Sequence, residues 1–150
     1  MSPEQLFSIS GNFALPGWLI LAASPLAPVW ANRIGGVAIP IILSVLYAAA
    51  ILAFWSSGTG GFDSLPNVMA LFDHPGVATA GWIHFLAFDL AVGGWIVREA
   101  RRRKVPHWMV LPCLFMTLMF GPVGLLMFLA IATIRQILGG SASNTQQTAL

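Results

Sequence analysis

Four long apolar runs, divided by polar or Pro/Gly-rich stretches, lay out this chain. They cover about residues 7–27, 34–55, 76–97 and 108–134. Each is close to the roughly 20 residues a helix needs to cross the hydrocarbon core of a bilayer. The runs are continuously apolar, whereas barrel strands would alternate in segments of about ten, so the pattern predicts spanning helices. The first run ends in SPLAPVWANR, and Pro40 interrupts the second early. The connection SSGTGGFDSLPN has no helical pattern and reads as an exposed loop, followed by a short segment, Val68 to Phe72, lying along the interface. The expected fold is all-α: an integral membrane bundle of four transmembrane helices in one domain, residues 1–138. The small polar residues 139–150, GGSASNTQQTAL, read as a disordered tail.

Composition agrees with that pattern. Hydrophobic residues make up 57% of the 150 and charged residues only 8%, against about 25% charged in soluble domains. The net charge of +2 does not suggest nucleic acid, because its sources are localised. Arg33 lies between runs one and two; Arg98, Arg101, Arg102, Arg103 and Lys104 lie between runs three and four. An even number of crossings puts both loops on one side, which the positive-inside rule marks as cytoplasmic, with both termini on the other side. Arg135 is the exception. Trp30, Trp55, Trp82, Trp95 and Trp108 stand near run ends, as an interfacial aromatic belt requires. No Lys or Arg precedes the first run, so no secretory signal is expected, and a bacterial-type inner membrane is the default address. Cys113 is the single cysteine and cannot form an intrachain disulfide.

The chemistry centres on run three. Asp89 is its only acid, near the bilayer midplane, where a charged carboxylate costs about 3 kcal/mol on insertion scales. It is either a hydrogen-bonded fastener between helices or a functional group. His84 lies five residues earlier, hence about 7.5 Å along the axis and about 140° around it, so the two do not share a helical face. They meet only if they line two walls of one cavity. Asp73 reads as the N-cap of the third span, with Pro75 in its first turn, and His107 as an interfacial side chain facing water. No histidine or carboxylate pair has metal-ligand spacing, so no metal is expected. No phosphate loop or dinucleotide fingerprint occurs. Gly93-Gly94 and Phe120-Gly-Pro-Val-Gly124 read as sites of close helix approach and a kink.

The stretch Gly81-Trp82-Ile83-His84-Phe85-Leu86-Ala87-Phe88-Asp89-Leu90, with Gly93 and Trp95, resembles the signature of the abscisic-acid-deficiency-four-like membrane family. Asn12, Ala14-Leu15-Pro16-Gly17-Trp18, Leu71-Phe72, Leu111-Pro112-Cys113-Leu114, Thr117 and Phe120-Gly-Pro-Val-Gly124 extend the likeness over nearly the whole chain. Plant members of that family are associated with neoxanthin synthesis. The resemblance therefore implies an intramolecular isomerase that turns a carotenoid 5,6-epoxide into an allenic alcohol without a cofactor. One proton goes to the epoxide oxygen and another leaves the polyene. The residues it implies are Asp89 and His84 as acid and base, in either order, with Trp82, Phe85, Phe88, Gly93, Trp95, Cys113 and Thr117 contacting the ligand.

Two other readings use the same residues. One is a non-catalytic membrane protein that binds a carotenoid or another isoprenoid, or scaffolds an enzyme acting on one, with a homo-oligomer as a further option. The other is a small proton-coupled transporter. Small multidrug exporters share only the helix count, since here the carboxylate lies in span three and no inverted repeat is evident.

Overall fold

A computed structural model describes the backbone of residues 1–147 and the side chains of residues 1–138. The expected tail, 139–150, lies outside the residues whose side chains are described. All regular structure among the described residues is helical. Helix α1 (Pro3–Ala22) starts at a capping box: the Ser2 hydroxyl accepts from the Gln5 N–H, and the Gln5 side chain accepts from the Ser2 N–H. This reciprocal cap satisfies two otherwise free donors, so the helix begins four residues before the apolar run. It ends at Ala22, ahead of the Pro25 and Pro28 punctuation.

Helix α2 (Pro28–Arg33) leads through a π-helical turn, Ile34–Ala38, into α3 (Ile39–Phe54), which closes with a 3-10 turn, Trp55–Ser57. The wide turn has a sequence cause. Pro40 has no N–H to give to the carbonyl four residues back, and the Ile39 N–H reaches five residues back to the Ile34 carbonyl. Helix α4 (Leu65–Phe72) is short and capped by Ser64.

Helix α5 (Pro75–Arg102) is capped by His74, not by Asp73 as expected. Pro75 takes the first helical position, which makes His74 the cap, and its Nδ1 accepts from the Gly76 N–H at 3.2 Å. Asp73 instead closes α4, giving its N–H to the Met69 carbonyl. The fourth run is two helices, α6 (His107–Phe120) and α7 (Pro122–Gln147). Gly121 lies between them with φ +48°, and Pro122 cannot continue the hydrogen-bond ladder. The expected kink is a full break. The backbone of α7 runs into the segment read from sequence as tail.

The four expected spans thus correspond to α1, the α2–α3 rod, α5 and the broken pair α6–α7. Two stretches, Pro28–Ser57 and Pro75–Arg102, are long and apolar enough to cross a membrane by length and composition; His107–Phe120 and Pro122–Leu138 are shorter apolar helices.

Helix α5 is the hub, packing against α1, α3, α6 and α7. Leu21, Leu43, Ile83, Leu90, Ile96, Val110 and Phe128 form the fully buried centre. At the α5 crossing with the π-helical turn the backbones touch: a Cβ on Gly94 would lie 2.5 Å from the Gly36 Cα. His107, expected to face water, is half-buried, and its Nε2–H donates to the Ala22 carbonyl at 2.7 Å. That bond occupies a carbonyl left open where α1 ends.

Gly94→Ala is expected to lower stability by about 1–3 kcal/mol, because backbone rather than a flexible side chain must yield. Gly11, with nothing within 4 Å of a Cβ, is the control, and Gly11→Ala should be neutral or gain up to about 1 kcal/mol. Thermal unfolding of the detergent-solubilised variants measures both; equal behaviour would remove the contact from any structural role.

Candidate functional site

Asp89 points at the break between α6 and α7. A Cβ on Gly121 would lie 2.7 Å from its Oδ1, so the carboxyl occupies the space a side chain would need. The carboxyl is half-buried and makes no hydrogen bond among the described residues. It opens on a cavity of about 510 Å³ bounded by Trp18 from α1, Trp82, Phe85 and Leu86 from α5, and Leu118 to Pro122 around the break. Volumes of about 300–1,000 Å³ are usual for small-ligand sites. Asp89 is the one titratable side chain in this lining.

His84 faces elsewhere. Its ring lies against Phe88 at 4.6 Å and Tyr47 at 5.4 Å between centroids. It borders a smaller cavity of about 230 Å³ with Tyr47, Trp55, Phe62 and Phe72. Phe85 lines both cavities and stands between them. The five-residue spacing therefore separates the two groups as helical geometry requires. The loop beside the smaller cavity carries Asp63, whose carboxyl is held below the usual carboxylate range by two hydrogen bonds from the Asn67 amide.

The ligand-contacting set inferred from sequence divides accordingly. Trp82 and Phe85 line the Asp89 cavity, and Trp82 also meets Phe7 in a tilted ring contact at 5.1 Å between centroids. Phe88 borders a third recess, against α3. Gly93 lies beneath the Trp18 indole, where a Cβ would come within 2.8 Å of the ring. Trp95 meets Phe128 edge-on at 5.8 Å. Cys113 and Thr117 are fully buried and bond to carbonyls of their own helix, Cys113 Sγ to Met109 and Thr117 Oγ1 to Cys113. In the structure these last four shape the packing around the cavity rather than its wall.

Trp18 lies outside the ligand-contacting set inferred from sequence. It is 6% exposed, borders the cavity, and its Nε1–H has no hydrogen-bond partner among the described residues. Its place in the Gly17-Trp18 motif was the available signal. Among the described residues no three His, Cys, Asp or Glu side chains cluster as metal ligands would.

Fold and site together define a helical protein with long apolar helices and one carboxyl facing an aromatic-lined cavity. Residues 5–128 match the ABA DEFICIENT 4-like family, and the chain belongs to it. No curated protein and no solved structure matches the chain.

Gly121→Ala should disturb this site directly. The new methyl meets Asp89 Oδ1, and the positive φ strains any L side chain. A loss of about 1–3 kcal/mol is expected, read as a lower unfolding temperature. Asp89→Ala in the same background removes the clash and should recover part of the loss; no recovery would mean that Asp89 and Gly121 do not meet.

Proposed function

We propose that the protein crosses the bilayer four times and acts on an apolar, oxygen-bearing isoprenoid held in the Asp89 cavity, as an isomerase of the kind that opens a carotenoid epoxide to an allenic alcohol. The observation that carries this reading is a carboxyl with no hydrogen bond among the described residues, facing an otherwise apolar cavity large enough for part of such a chain. Buried polar groups in apolar surroundings ordinarily have partners, and an intramembrane carboxyl left without one is a functional group by default. Family membership over residues 5–128 supports the same direction.

The geometry favours one carboxyl doing both proton transfers. Protonated Asp89 gives its proton to the epoxide oxygen as the ring C–O bond opens. The resulting carboxylate removes a proton from the adjacent polyene carbon, and the released electron pair becomes the new double bond of the allene. Asp89 ends protonated, and no other reagent is consumed. Trp18, which borders this cavity and whose Nε1–H has no hydrogen-bond partner among the described residues, would hold the oxygen. His84, across Phe85, would serve as the base only by a path between the cavities. Arg33, Arg98 and Arg101 border one recess, which supports placing that end of the bundle in the cytoplasm and both termini opposite.

The separation of His84 from Asp89 also favours a second reading, ligand binding without turnover, because no dedicated base lines the Asp89 cavity. Expression in a carotenoid-producing host separates the two. Asp89→Asn should cut epoxide conversion by at least about 100-fold, the usual scale of general acid–base catalysis. His84→Ala should cut it far less, and Trp18→Phe should weaken ligand retention while preserving the fold. Full conversion by Asp89→Asn would end the catalytic reading; pigment co-purifying with all variants and no conversion by the wild type would establish the binding one.

A further inference from the structure

A second site lies at the opposite end of α5 from the helix start, outside the Asp89 cavity. Two adjoining recesses there share Asn32 and Arg98 as a common wall. The first, about 560 Å³, is a trough between α3 and α5 floored by Val37, Pro40, Ile41, Ala87, Phe88 and Ala91. The second, about 320 Å³, is basic: Arg33 and Arg101 join Arg98 around it. We propose that this continuous groove binds one membrane phospholipid with an anionic headgroup, its phosphate among Arg33, Arg98 and Arg101 and an acyl chain along the trough.

Three observations carry it. The first is charge. None of the five acidic residues of the chain lines either recess. The neighbouring Glu99 is taken by Arg102 and Arg103 on another face of α5. Among the described residues Arg98 is bound only to a neutral amide, donating to Asn32 Oδ1 at 2.7 Å; Arg33 lies over the Trp30 ring; and Arg101 makes no ion pair. The cluster therefore keeps its positive charge uncompensated, and guanidinium groups match phosphate in a two-pronged geometry.

The second is length. From Arg98 to Ala87 is eleven residues of helix, about 16 Å, and half of a hydrocarbon core of about 30 Å is about 15 Å. The trough thus runs the depth of one leaflet from a basic head end. The third is shape. Gly36 lines the head end of the trough, where a Cβ would lie 3.1 Å from both Asn32 Oδ1 and the Gly94 Cα and 3.5 Å from Arg98. The π-helical turn Ile34–Ala38, a feature that tends to mark functional positions, sits where head end and trough meet.

The test uses the full chain in detergent, titrated with phosphatidylglycerol or phosphatidylcholine and followed by native mass spectrometry. Phosphatidylglycerol should bind as a one-to-one adduct at least about tenfold more tightly, since each arginine near an anionic surface contributes about fivefold. Arg33→Gln with Arg101→Gln should weaken that adduct about 25-fold and narrow its preference over phosphatidylcholine, whose phosphate is offset by its own choline cation. Both side chains are exposed, so unfolding does not explain such a result. Ala91→Phe should weaken both lipids by filling the trough. Lys104→Gln removes a charge from the same loop but not from the groove, and should change binding less than twofold. Equal affinity for the two lipids, a Lys104→Gln loss as large as that of Arg101→Gln alone, or full displacement by equimolar inorganic phosphate would each overturn the proposal; the last would make it a site for a free anion.

Discussion

The contact between the Gly36 and Gly94 backbones governs how everything else is placed. In the bilayer setting proposed above, two apolar helices gain little from hiding apolar surface from each other, so their association depends on close van der Waals packing. Small residues permit it, and here the approach is limited by the main chain itself. Gly17 of α1 fits the same logic, with Leu90 and Ile39 filling the space above it. Because α5 is clamped to the α2–α3 rod on one side and to α1 on another, its remaining face is left for α6 and α7. That face carries Asp89.

A carboxyl on the central helix still needs a neighbour that does not cover it. The break at Gly121 supplies this. An unbroken fourth helix would press side chains against α5 along its length, whereas the Gly121-Pro122 turn presents a residue without a Cβ directly opposite the carboxyl. The cavity beside Asp89 and the absence of a hydrogen-bond partner for its carboxyl among the described residues are consequences of that arrangement. One glycine makes room for the acid and another makes room for the indole that helps close the site.

Much of this was legible in the residues. The apolar runs marked the helices because length and continuity are local properties, and His84 and Asp89 fall apart on α5 because a helix turns by a fixed angle per residue. Boundaries were less legible where local chemistry has competing solutions. Asp73 and His74 are both competent caps, and which one serves depends on Pro75 occupying the first helical turn. The water-facing role read for His107 failed for a different reason: its partner, the Ala22 carbonyl, is 85 residues away in sequence. Cys113 and Thr117 bond within their own helix, and no pattern in one run reveals which face a neighbouring helix will cover. Trp18 is the clearest case, since its burial depends on α5 presenting Gly93 to it.

The sorting of charge along α5 follows from the same periodicity. Residues 99, 102 and 103 fall on one side of its last turns, where Glu99 holds both Arg102 and Arg103. Residues 98 and 101 are three apart, hence also neighbours, but on the side that meets Asn32 and Arg33. A cluster that reads in sequence as one basic anchor is thus two groups in space, one neutralised in part by its own acid and one left open. Asn32 does not neutralise Arg98; it fixes the direction of a guanidinium that stays charged. The same helix therefore ends in a compensated face and an uncompensated one, while the side of it that lines the trough, Ala87, Phe88 and Ala91, is apolar. An amphiphile with an anionic head is the chemistry that such a gradient selects, because only a molecule with both ends gains from both parts of the groove.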